Sequence, residues 1–498
     1  MIAAVVPAVL VGTLSTPVRL LEVASALVLV VVVYAVLVSV ERKGYRAELL
    51  TVIVGLIAFE SILWDQNFVP VGIFHPTFSG QNFRLYDVLI PIALVARLRV
   101  NGLPKRISAL GGAVFLFCAW YTGEAVIGVM RGYGFNNVVY EAKLVIYVGG
   151  AYVLAAGVRA EDILGPHGIR RLARPFALVT VGLIALTGSS GLNIPIPTMN
   201  VSGLQGVEPD AATFLFCLGV ITLLVELASP RRRPTMVAAG LVLIISAVAS
   251  HQRAAVIALI AGAAFAAVGW LWPVKSGRAI RLTPTEVVGA GVLIFGGMAS
   301  YPLLNGRSPL RLSSLPLGSL LSATFGGTEK TESTADRAGQ LHAALPVIMQ
   351  HPIIGWGLAK TITYVAVGQT VTTPSPDNVY LSILLRTGLL GFVLFAALVV
   401  AAIVAVVRVW RIHPEPRVAA LAWACGATIA AVLARGAVEG IFEKYRIAIE
   451  LGLALGMARS AAVSLEEWER VAPQALSPPP IIEPTKPTTK YLVPMTDE

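Results

Sequence analysis

PDNVYLSILLRTGLLGFVLFAALVV, residues 376–400, decides how this chain folds. A polar lead of Pro376, Asp377 and Asn378 gives way to an unbroken apolar run that lacks period-two alternation. About 20 such residues cross a bilayer as a helix. Asp377 is well placed to cap that helix, and Pro376 fits a helix start. Upstream lies the longest polar interruption in the chain, 305–378, whose second half reads STADRAGQLHAALPVIMQHPIIGWG from Ser333 to Gly357. Ser333 or Thr334 can cap a helix in which Leu341, Leu345 and Ile348 fall on one stripe, with Arg337 one turn before Leu341. The residue before Pro352 is pushed out of helical conformation, so His351 ends the helix and GWG forms a turn. A half-apolar helix between two spans belongs on the bilayer surface, with Arg337 over whatever the membrane domain presents beneath it.

The same kind of apolar run recurs along all 498 residues, 56% of which are hydrophobic and 13% charged. A soluble domain carries nearer 25% charged residues. The expected class is therefore an all-α polytopic membrane protein of about 12–14 transmembrane helices, and the unbroken runs exclude a β-barrel. Spans are expected near 20–40, 49–64, 85–98, 108–127, 139–157, 175–187, 211–228, 236–249, 254–272, 286–303, 378–400, 417–434 and 447–462. Residues 1–14 are an extra span or an interfacial lead-in, and no removable signal peptide is expected. The bundle then covers 1–463, with a large extracytoplasmic loop over 304–377 inserted in it. Residues 464–498, with PPP at 478–480, form a cytoplasmic, disordered tail.

The net charge of +10 does not indicate nucleic acid, because its distribution is that of a topology signal. Six connectors, among them ERKGYR at 41–46, SPRRRP at 229–234 and RVWRIHPEPR at 408–417, hold twenty Lys and Arg. They alternate with connectors poorer in basic residues, which puts the basic set in the cytoplasm and the 305–377 loop outside. Cys118, Cys217 and Cys425 all fall in apolar runs and form neither a disulfide framework nor a metal cluster.

Charged residues also stand inside or at the edges of the spans. They include Glu60, Arg84, Asp87, Glu124, Glu141, Lys143, Arg253, Arg386, Arg435, Glu439, Glu443, Arg446 and Glu450. A charge near the bilayer centre costs at least ~2.5–3.5 kcal/mol, so such groups face a cavity and pair. Arg and Lys near span ends can instead snorkel to the headgroups, but that explains the carboxylates less well. Arg253, Arg337 and Arg386 converge on the outer side, and arginine grips phosphate oxygens in two-point fashion without ever losing its proton. Several arginines without an acidic metal cage suit a diphosphate held at the membrane surface; a structural ion pair is the alternative for each. Arg84, His351 and His251 are additional candidates, and His342 can also act as a base. His351 is equally a helix-stop residue, and the six histidines show no metal-ligand spacing.

Three segments together resemble the bacterial O-antigen ligase and polymerase superfamily of membrane glycosyltransferases. They are SHQRAAVIALIAG at 250–262, DRAGQLHAALPVIMQHPIIGWGLAK at 336–360 and DNVYLSILLRTGLLG at 377–391. A fourth, weaker match is SGLQGVEPDAATFLF at 202–216, with Asp210 where the family has Asn. The resemblance implies a GT-C-like bundle whose outer loop carries surface helices above an outward cavity. It implies a polyprenyl-diphosphate-linked glycan as donor, a glycan or glycolipid as acceptor, and neither metal nor cofactor. It implies a bacterial inner-membrane location with the active site facing out. Arg253 and Arg337 match the arginines that hold the diphosphate. Asp377 stands where the family has the histidine thought to activate the acceptor hydroxyl, and Arg386 replaces a usual acidic residue. A carboxylate can do general-base work. A transporter or flippase for an anionic or lipid-linked solute is the alternative, but it calls for midplane charges and related halves. This chain shows neither.

Overall fold

The computed structural model describes residues 17–63, 77–78, 81–82, 85–102, 107–188, 195–196, 199–200, 209–248, 253–271, 330–366, 369–373, 376–440, 442 and 444–475. The chain is mainly helical, as its composition predicted. The N-terminal helices are α1 (Pro17–Lys43), α2 (Arg46–Leu63), α3 (Leu85–Asn101), α4 (Ala109–Met130), α5 (Phe135–Ala156), α6 (Ala160–Leu164) and α7 (Arg170–Gly188). There follow α8 (Pro209–Leu227), α9 (Pro234–Val248), α10 (Arg253–Leu271), α11 (Lys330–Gln350), α12 (Val379–Ile412), α13 (Pro416–Gly436) and α14 (Tyr445–Ala475). Among the described residues, strands are confined to three antiparallel hairpins: β1 (Thr77–Phe78) with β2 (Gln81–Asn82), β3 (Pro195–Ile196) with β4 (Met199–Asn200), and β5 (Ile362–Ala366) with β6 (Gln369–Thr373).

The helices α4, α5, α12, α13 and α14 are long and apolar enough to cross a membrane, and shorter apolar helices run over Ala212–Leu227, Pro234–Ile245 and Ala254–Gly269. Each expected span has its helix, except 286–303 and the N-terminal 1–14, which lie outside the described residues. Two boundaries differ. The helix expected to end near 400 runs to Ile412, and that near 462 runs to Ala475. The second extension puts helix where a disordered tail was expected from Ser464. Its physical reason is local: Leu465 is buried, and Glu466 and Glu469 pair with Arg459 and Arg408 at 2.7 and 2.8 Å.

The bundle is centred on α13 and α14, whose apolar windows are the most enclosed. Ala419, Ala420, Ala422, Ala424, Ala427 and Ala431 of α13 are buried, and they let α8, α10, α12 and α14 approach its backbone closely. Small residues at helix contacts are how membrane bundles gain van der Waals packing, since lipid tails supply no hydrophobic drive between helices. The segment Val145–Gly150 of α5 is a π turn. Such turns are often found at functional sites, where the widened backbone re-aims side chains.

Candidate functional site

Asn378 caps α12, its Oδ1 accepting from the amides of Tyr380 and Leu381 at 2.9 and 3.1 Å. Asp377 therefore does not cap this helix. Its backbone amide donates to Gln340 Oε1 at 2.7 Å, and its Oδ2 accepts from Gln340 Nε2 at 3.2 Å. Gln340 belongs to α11, so this two-point clip fastens that helix to the head of α12. Tyr364 of β5 joins it, its hydroxyl 3.2 Å from the same Nε2.

The register of α11 differs from expectation. It begins at Lys330, which puts Ser333 and Thr334 inside its first turns rather than at the cap. Its buried stripe is Gln340, Ala344 and Ile348, whereas Leu341 and Leu345 are exposed together with Met349. The reason is the β5–β6 hairpin, which packs on the Ala344 and Ile348 side of α11. Ile362, Tyr364, Leu381 and Leu385 cover Ala344 and Ile348 from that side. The β-branched Ile362, Val365, Thr370, Val371, Thr372 and Thr373 were the available strand signal. Arg337, one turn before Gln340, is exposed.

His351 follows the last residue of α11, as its position before Pro352 predicted, and its ring stands edge-on to Trp356 at 4.2 Å. The loop beyond is knitted into a break in α12. Gly388 has φ +63°, so the helix cannot continue its own hydrogen bonding there. The freed carbonyls of Leu385 and Arg386 accept from Trp356 N and Gly357 N at 3.0 and 2.9 Å, and Thr387 O accepts from Trp120 Nε1 at 3.2 Å. In return, the amides of Leu389 and Leu390 donate to Pro352 O and Ile353 O at 2.8 and 3.1 Å. Broken backbone at membrane depth is tolerated only where protein satisfies it, which this loop does. A Cβ at Gly388 would collide with the Ile353 carbonyl, and one at Gly355 with the Arg386 carbonyl.

Beside this knot lies a small hollow of about 10 Å³, room for about one water molecule, lined by Tyr121, Tyr140, Glu141, Lys143, Tyr147, Arg386 and Phe442. Glu141 is its hinge pin: Oε1 receives Arg386 Nη2 at 2.7 Å and Oε2 receives the Ala359 amide at 2.7 Å. Arg386 also donates to Ser382 Oγ at 2.5 Å. Lys143 Nζ donates to Asp87 Oδ2 at 2.6 Å, and the Tyr147 hydroxyl to Asp87 Oδ1. Beneath, Phe117, Phe395 and Phe442 meet with ring centroids 5.5 to 6.3 Å apart, and Tyr380 stands 6.3 Å from Phe395.

Arg253 opens α10 and is placed by its backbone. Gly262 of α10 lies against Ala427, and the Trp423 indole donates to Ala266 O at 3.3 Å, so α10 and α13 are antiparallel. The start of α10 is thus level with the end of α13. There Arg435 is wholly buried, donating to Glu439 Oε2 and Thr213 Oγ1 at 2.6 Å each. Asn378 Nδ2 reaches the same end, donating to Ala437 O at 2.9 Å. One end of the bundle therefore gathers Arg253, Arg435, Asp377 and the helix carrying Arg337. Arg386 is instead the buried partner of Glu141. Arg84 and His251 lie outside the described residues. Among the described residues no His, Cys, Asp or Glu group has the makings of a metal site. The tyrosines of the hollow, and Gln340, had no sequence signal beyond their polarity.

The chain has no match among curated proteins. Residues 238–396, about a third of the chain, match the family model described as O-antigen ligase. That stretch contains α10, α11, the inserted loop and the head of α12. Over that stretch the chain is similar to the O-antigen ligase family, which supports an assignment to the O-antigen ligase and polymerase superfamily and, in general terms, a function in glycan assembly at a membrane.

Proposed function

We propose that this protein transfers a glycan from a polyprenyl-diphosphate carrier to a sugar acceptor on the extracytoplasmic face of a bacterial inner membrane, as a polymerase or a ligase. The observation that carries the reading is the Gln340 clip, which fastens the helix bearing Arg337 to Asp377, while Asn378 relieves Asp377 of capping. Arg253 and Arg337 hold the departing diphosphate, where fixed donors act on charge as it develops. Asp377 accepts the proton of the acceptor hydroxyl as that oxygen attacks the anomeric carbon and the bond to the phosphate oxygen breaks. The exposed Leu341, Leu345 and Met349 continue into Ile353 and Ile354, which suits a helix resting on lipid. The lipid tail of the donor lies between helices, which is why the catalyst is a membrane bundle.

Arg253→Ala and Arg337→Ala should each abolish transfer, read as loss of polymeric or ligated glycan in cells, with the protein still folded in the membrane. Wild-type glycan from both variants overturns the diphosphate clamp. Chelators should leave transfer unchanged.

A further inference from the structure

We propose that the arginines gathered where α7, α9 and α13 begin bind the headgroup phosphate of an anionic phospholipid, at the end of the bundle away from Asp377. Arg170 is the first residue of α7, Arg233 immediately precedes α9, and Arg417 is the second residue of α13. The far end of α13 is where Asn378 meets Ala437. Its 21 residues, at ~1.5 Å each, put the arginines roughly 30 Å from the head of α12.

The cluster carries more positive charge than its surroundings neutralise. Among the described residues only Glu226, 1% exposed at the end of α8, forms an ion pair with any of the three. It pairs with the Arg170 guanidinium and accepts the Arg233 backbone amide at 2.5 Å. Arg417 donates to a neutral acceptor, Leu164 O, at 2.9 Å. Elsewhere Arg46, Arg159, Arg408 and Arg459 each have a carboxylate at 2.7 to 3.0 Å. Burial first, and then the charges of Arg417 and Arg233, push the Arg170 guanidinium down to about 10, so the three like charges stand close together. Two buried donors, Arg170 Nε and Arg417 Nε, have no acceptor among the described residues. Donors left in that state call for an ion or a water. The three helix starts add partial positive charge of their own, which favours an anion there.

The surface beside the cluster points to a lipid as the source of the phosphate. Arg171, Arg174, Leu178 and Val181 are exposed and follow one another along one face of α7 at spacings of three and four. Arg174 also donates to Thr235 Oγ1 at 2.5 Å, which brings that face against the start of α9 and the exposed Arg233. Cations succeeded by apolar side chains match a phosphate headgroup succeeded by acyl chains, and basic pockets between membrane helices hold lipid headgroups in this way. A soluble phosphate would make no use of Leu178 and Val181.

The test uses the full-length protein in nanodiscs of phosphatidylcholine, with phosphatidylglycerol and inorganic phosphate as probes, read by native mass spectrometry and thermal unfolding. Wild type should retain phosphatidylglycerol in at least about tenfold preference over phosphatidylcholine, and its unfolding midpoint should rise as the anionic lipid is added. Arg174→Gln and Arg233→Gln, both at exposed positions, should each weaken that retention about fivefold, and the double variant about twentyfold. In pure phosphatidylcholine each should unfold as wild type does. Arg42→Gln, at an exposed position in another basic connector, should leave retention unchanged. Lack of preference for phosphatidylglycerol in wild type overturns the site. So does an equal loss with Arg42→Gln, which would reduce the effect to overall basic charge. Displacement of the lipid by inorganic phosphate at equal concentration would make this the site of a soluble anion and overturn the lipid assignment.

Discussion

Asn378 and Asp377 divide two tasks that neighbouring residues at a helix start often share. The amide side chain of Asn378 satisfies two orphan N–H groups of α12, while the Asp377 carboxylate remains exposed and is steadied by Gln340. The division predicts separable phenotypes. Asn378→Ala should cost about 1 kcal/mol of stability, the usual worth of an N-cap, and largely preserve transfer. Asp377→Asn keeps an acceptor for Gln340 and should unfold like wild type, but transfer should drop by roughly 10²–10⁴-fold, the contribution of a general base. Thermal unfolding followed by tryptophan fluorescence, alongside glycan gels from cells, checks both. Normal transfer by Asp377→Asn would remove it from the mechanism.

At the scale of elements, the knot between residues 352–357 and the break at Gly388 couples α11 to α12. Three α12 carbonyls and two of its amides find partners outside the helix. That gives a physical meaning to the glycines of the HPIIGWG segment: a side chain at Gly355 would run into the α12 backbone at Arg386, and one at Gly357 into the α4 backbone at Gly128. Gly388→Ala combines a positive φ with a collision against Ile353 O, and a strained backbone of this kind costs of order 1–3 kcal/mol. It should lower the unfolding midpoint and speed proteolysis within 351–360. Gly134→Ala, where φ is −51° and a Cβ meets only the Asn137 side chain, should change neither. Equal behaviour of the two variants would show that the break tolerates a side chain.

On the scale of the whole molecule, α12 is the ruler. Beyond Gly388 it runs to Ile412, long enough to cross a hydrocarbon core of about 30 Å at ~1.5 Å per residue. The β5–β6 hairpin stands at one end and Arg411 at the other. On the proposed orientation, which puts the basic connectors in the cytoplasm, Thr363→Cys should react with a membrane-impermeant maleimide in intact cells. Arg411→Cys should react only after permeabilisation. Cys217 and Cys425 are buried and Cys118 is half-buried, so the unsubstituted protein sets the labelling background. The reverse pattern would put Asp377 inside the cell and end the lipid-diphosphate reading.

Apolar runs of near-bilayer length admit only helices, so the class of fold and most helix positions were legible from order of residues. So were the stop at His351, set by Pro352, and the segments that mark the superfamily. What remained open depended on groups far apart in the chain. Glu141 and Arg386 are 245 residues apart, and nothing in either neighbourhood announces the other. The buried face of α11 was set by a hairpin lying across it, which outweighed the leucine spacing. Asp377 was released from capping by the residue beside it and oriented by one 37 positions earlier. Local periodicity and turn chemistry act over a few residues and can be read along the chain. Burial, charge pairing and backbone collision are fixed only when distant segments meet, and the site is made of those.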